Sequence, residues 1–238
     1  MAQGREPVDG LLEPVDDVGF EIDRSRTRPD PIRLTCCVAF RGPARIPRRI
    51  ARQLTRAARA CAAAAAALEA SARDAGTPSD AMSAAADAES ASHSAAVSSA
   101  QMLGGGFDRE DVVAIARALQ ILGGRLEEAA FGLRQVERRE ALWAALTGVV
   151  RDAAREVAAA IDSLDGPAAE RDARLDRTDE LHREWRQLIR SARAQALTQD
   201  AEPKTALAAD MALRRLETAE AACRDASRTV RAVAIKHA

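Results

Sequence analysis

Eight apolar side chains, Val112, Ile115, Leu119, Leu122, Leu126, Ala129, Leu133 and Val136, recur at steps of three and four without a miss. A strand alternates with a period of two and would scatter them over both faces, whereas an α-helix gathers all eight onto one. Arg117, Arg125 and Arg134 fall on other faces, so the stretch predicts a helix with one side in a core. Its start is marked as well. Gly104, Gly105 and Gly106 bar an earlier helix from running through, and Asp108 stands at an N-cap position. Glu110 and Asp111 put negative charge on the first-turn N–H groups, with Asp111 in the capping-box place. The rest of the chain has to cover the apolar face of this helix.

It does so with more helices. Ile50, Leu54, Ala57, Cys61, Ala64 and Leu68 trace an earlier apolar face, ended by Gly76-Thr77-Pro78. The Ser/Ala-rich segment from Asp80 to Leu103 has the weakest pattern; its best phase, Met82, Ala85, Glu89, Ser92, Ala96, Ser99 and Leu103, turns Glu89 inward. Beyond Arg139, the set Leu142, Leu146, Val149, Ala153, Val157, Ala160 and Leu164 makes a fourth helix, stopped at Asp165-Gly166-Pro167. Leu175, Thr178, His182, Trp185, Ile189 and Ala192 mark a fifth over about 168–197. After Glu202-Pro203, the sixth carries Ala212, Leu216, Ala219, Cys223, Ala226, Val230 and Val233. Short connections between six such segments predict an all-α, up-and-down six-helix bundle. The composition, rich in Ala, Arg, Leu and Glu with no Tyr, favours close helix packing over sheet. Gly123-Gly124, inside the third helix, predicts either a kink or the close approach of a neighbour.

Residues 1–40 read differently from 41–238. The first 31 carry eight acidic side chains and four Arg with no helical period, as in a flexible acidic tail. Ile32–Phe40 is a short apolar run with no second strand to pair with, so an extended segment lying on the bundle is expected. Four cysteines, Cys36, Cys37, Cys61 and Cys223, show neither a C-x-x-C pair nor a finger spacing, and together with the lack of a secretory signal they point to a reducing cytoplasm. The apolar run Ala60–Leu68 is too short to cross a bilayer. A net charge of −1 argues against a dedicated nucleic-acid binder.

Phe107-Asp108-Arg109-Glu110-Asp111 opening a central helix resembles the PhoU-like family of phosphate-transport accessory proteins, whose third helix opens on such a box. Leu216–Asp225 and the ending Val233-Ala234-Ile235-Lys236-His237-Ala238 resemble the family's final helix, and the likeness spans roughly 45–238. It implies two three-helix units related by internal pseudo-symmetry, with helices two and five equivalent. It also implies a non-enzymatic accessory or regulator of inorganic phosphate transport, binding a membrane phosphate permease of the Pit type from the cytoplasmic side.

Family members that bind metal carry Glu-x-x-x-Asp pairs, since residues four apart share a helix face and carboxylates from several helices can cage a transition metal. Carried over by resemblance, those slots fall on Ala85 and Glu89, on Leu175 and Asp179, on Glu217 and Ala221, and on Gln120, Gly124 and Phe131. Every pair has lost a member, so no metal and no other cofactor is expected. Glu89, His93, Asp179, His182 and Glu217 remain as candidates for one weak mononuclear site. No catalytic constellation emerges: no Gly-rich loop follows a strand, and Cys223 lies on an apolar face.

The surviving surface feature is basic. Arg41, Arg45, Arg48, Arg49, Arg52, Arg56 and Arg59 line one segment, and no acidic residue occurs from 31 to 68. Arg45 to Arg59 are therefore the expected partner-binding residues, facing an acidic transporter loop or an anionic membrane surface. The alternatives are a solvated face neutralised by the acidic tail, a nucleic-acid-binding bundle using the same stripe, and a metal-binding bundle using the residual carboxylate and His set. A homo-oligomer is compatible with all of these.

Overall fold

The computed structural model describes residues 46–73, 78–101, 108–136, 141–198 and 202–237. The expectations for 1–40, for Arg41 and Arg45 and for the triple glycine lie outside the described residues. Six helices and no strand are present among the described residues: α1 Arg48–Arg73, α2 Pro78–Ala100, α3 Arg109–Arg134, α4 Ala141–Asp162, α5 Ala168–Thr198 and α6 Pro203–Lys236. None of them is long and apolar enough to cross a membrane.

The six helices form one bundle, which chain order divides into two units of three. α1, α2 and α3 pack on one another, as do α4, α5 and α6. The units meet where α1 lies on α4 and α3 lies on α6; α2 touches only its own unit, and so does α5. The first helices of the two units thus meet each other, and so do the third. α3 and α4 are the one consecutive pair that does not pack, so the connection between them carries the chain from one unit to the other.

The eight periodic residues that define α3 are all buried, as are Leu54 and Leu68 of α1, Leu146 of α4 and Leu216 of α6. Each such Leu contributes about 1.5–3 kcal/mol by leaving water. α2 shows a shift from the sequence phase. Its buried face is Ala81, Ala85, Ala88, Ser92, Ala95 and Ser99, while Met82, Glu89 and Ala96 are only half-buried. The reason is close approach: a Cβ added at Gly123 would lie 2.9 Å from the Glu89 backbone nitrogen. Only small side chains fit so tight an interface, and this selects the Ala/Ser stripe over the one containing Met82. The two buried hydroxyls are satisfied within the helix, Ser92 donating to the Ala88 carbonyl and Ser99 to that of Ala95, each at 2.7 Å. α3 runs unbroken through Gly123 and Gly124, so the glycines serve packing.

The start of α3 also departs from expectation. Asp108 is the N-cap by backbone, at φ −68° and ψ 138°, but its side chain makes no cap hydrogen bond. Its carboxylate instead takes Lys236 Nζ at 2.6 Å, and Asp111 accepts from Lys236 at 2.9 Å while pairing with His237 Nε2 at 2.7 Å. A full cation outcompetes a backbone N–H for a carboxylate. The capping-box reading of Asp111 is corrected accordingly.

Candidate functional site

α1 positions the basic face. Its buried side, through Ile50, Leu54, Ala57 and Cys61, is held in the core, and this leaves Arg48, Arg49, Arg52 and Arg56 exposed. None of these four has a carboxylate partner among the described residues. Steps of four bring Arg48, Arg52 and Arg56 onto one side, where like charges repel unless an anion lies against them. Arg59 has a different task. Its guanidinium donates to Asp162 at the end of α4 at 2.8 Å, joining the two units.

The residual metal candidates do not converge. Glu89 and His93 sit on α2 and Asp179 and His182 on α5, two helices with no mutual contact. Asp179 is exposed and accepts from Arg231 at 3.1 Å, and Glu217 accepts from Arg193 at 2.6 Å. Among the slots emptied of acids, Ala85 and Leu175 are core residues, as fully buried as their neighbours, and ligate nothing. The residues present do not fit the multinuclear site that the resemblance associates with metal-binding members.

One different trio could hold a cation by geometry: Asp108, Asp111 and His237 offer ligand atoms within 4.8 Å of one another. The Lys236 ammonium already bridges both carboxylates there, which makes the trio an internal ion-pair knot. Burial pushes the Asp111 carboxyl up, but the hydrogen bonds and charges of His237 and Lys236 together bring it below its ordinary value.

The cluster that sequence reasoning missed lies between α5 and α6. His182 Nδ1 is 2.7 Å from Oε1 of Glu220, and Arg224 Nη1 is 3.2 Å from His182 Nε2. A guanidinium can only donate, so Nε2 accepts; the proton then resides on Nδ1, which donates to Glu220. Burial raises the Glu220 carboxyl above its ordinary value, with His182 and Arg224 opposing. These residues line a cleft of about 380 Å³ together with Trp185, Arg186, Ile189, Arg190, Glu217 and Ala221. The sequence signal available was the spacing of Glu220 and Arg224, four apart beside an apolar phase. Its pairing with His182 depends on the register of two helices.

Both cysteines of the described residues are buried. Burial pushes the Cys61 thiol up to about 12 and that of Cys223 well above its ordinary value, as suits inert core groups.

No family model matches the chain, and no curated protein matches it.

Proposed function

We propose that this protein is a non-enzymatic accessory protein of inorganic phosphate transport that docks on a membrane phosphate permease of the Pit type. The observation that carries the docking is the α1 face, where Arg48, Arg49, Arg52 and Arg56 stand exposed without a carboxylate among the described residues. An acidic cytoplasmic loop of a permease supplies the anions such a face lacks, and steers the encounter electrostatically. The choice of phosphate transport rests on the PhoU-like resemblance. It is supported by the meeting in space of the two segments that carry the likeness, since Asp108 and Asp111 of the helix-opening box hold Lys236 and His237 of the ending. The pairing of two three-helix units is consistent with the same reading.

The test is co-purification with a co-expressed Pit-type permease from detergent-solubilised membranes. Wild type is expected to be retained at low salt and released as screening increases. The variant R48E/R49E/R52E/R56E is expected to lose retention with its helical circular dichroism unchanged. Undiminished retention of this variant makes α1 a solvated face. Retention on duplex DNA at physiological salt with none on the permease supports the nucleic-acid alternative instead.

A further inference from the structure

The open cleft between α5 and α6 carries uncompensated positive charge. Arg186 and Arg190 are four apart on α5, so both flank the same groove, and Arg224 faces them from α6. Glu217 is answered by Arg193, and Glu220 by His182 and Arg224. Arg186 and Arg190 have no carboxylate partner among the described residues, so two positive charges remain. Arg224 Nε is shut off from solvent and has no acceptor, a costly state for a charged donor. Trp185 and Ile189, both buried, back the cleft with apolar surface that strengthens any charge pairing formed there.

We propose that this cleft binds a phosphate group that retains a P–OH, either free orthophosphate or the terminal phosphate of a larger phosphoanhydride. A dianion balances the two unanswered guanidiniums, and the planar fork of Arg matches two oxygens of a tetrahedral oxyanion. The half-buried Glu217 carboxylate accepts a hydrogen bond from the P–OH and repels an anion without one, so sulfate is disfavoured. His182 and Glu220 are positioning residues: they hold one N–H of Arg224 and fix its guanidinium. A cleft of about 380 Å³ exceeds a bare phosphate and lies within the range of small-molecule pockets, which leaves room for an attached group. This site shares no residue with the α1 docking face, so either can fail without the other.

Isothermal titration of the full chain with orthophosphate and pyrophosphate, with phenyl phosphate (a dianion without a P–OH near neutral pH), sulfate and acetate as controls, tests the assignment at low ionic strength. One phosphate compound per chain is expected, bound at least tenfold tighter than sulfate. Saturation by orthophosphate identifies a free-anion site; saturation only by pyrophosphate identifies recognition of a larger molecule. R186Q/R190Q, at two exposed positions, is expected to weaken binding at least tenfold with an unchanged helical signal. R48E/R49E/R52E/R56E is expected to bind as wild type does. The proposal is overturned if neither orthophosphate nor pyrophosphate saturates wild type, if sulfate or phenyl phosphate binds equally well, or if R186Q/R190Q binds undiminished.

Discussion

Two neighbouring glycines in α3 are expected to respond with opposite signs to the same substitution. Gly124 has nothing within 4 Å of the place its Cβ would take. Gly124→Ala therefore gains only the helix-propensity difference, about 0.8–1 kcal/mol. Gly123→Ala makes the same gain, but its methyl meets the Glu89 backbone nitrogen at 2.9 Å and Glu89 Cα at 3.2 Å. Backbone atoms of a packed helix cannot swing aside as a side-chain tip would, so α2 and α3 have to separate. Such overpacking costs about 1–3 kcal/mol. Because the propensity gain is common to both variants, the difference between them isolates the steric cost, with Gly123→Ala the less stable by about 1–3 kcal/mol. Urea unfolding followed by circular dichroism reads the difference, and thermal unfolding should show about 2–4 °C for each kcal/mol in a domain of this size. A Gly123→Ala protein as stable as Gly124→Ala would refute the close approach of α2 to α3 and the account of the α2 phase built on it.

Asp111 makes stability depend on pH in a defined direction. Its folded carboxyl lies below the ordinary value, so its contribution is fully present above about pH 4, where the unfolded group ionises, and is lost as pH falls through the folded value. The stability gap between wild type and Asp111→Asn should therefore narrow on acidification below about pH 4; a gap that holds constant there places the shift elsewhere. In a Cys36→Ser/Cys37→Ser background, folded protein at pH 8 should leave Cys61 and Cys223 unmodified by iodoacetamide, with labelling only after denaturation. Rapid labelling of the folded chain counts against their burial. Elemental analysis of protein purified without chelator should find less than one zinc or iron per chain, given that the candidate ligands are scattered and that Asp179, His182 and Glu217 are already paired. Stoichiometric metal would mean ligands outside the set considered.

Much of the bundle was legible in the chain because its signals are local. Three-four spacing in Val112 to Val136, the stop at Asp165-Gly166-Pro167 and the break at Glu202-Pro203 place helices within a few residues of their observed limits. The same locality made the α1 basic face readable, since burying Ile50, Leu54 and Ala57 leaves Arg48, Arg52 and Arg56 outside whatever helix packs there. The α2 phase was only half legible, with Ala85, Ser92 and Ser99 buried as expected and Met82, Glu89 and Ala96 displaced, because its side chains are nearly uniform in size and polarity. With little hydrophobic contrast, the choice fell to the shape of its neighbour.

What the amino-acid order determined by itself is where helices begin and end and which side of most of them is apolar, because period and punctuation act within one helix. Tertiary structure alone decided which polar groups meet. Asp111 and His237 are 126 positions apart, and His182 and Glu220 are 38 apart. Each contact requires a particular rotation and slide of one helix against another, and periodicity leaves both free. The packing of small side chains, Gly123 against Glu89 and Gly132 against Ala212, restricts that freedom and thereby sets the register of the charges.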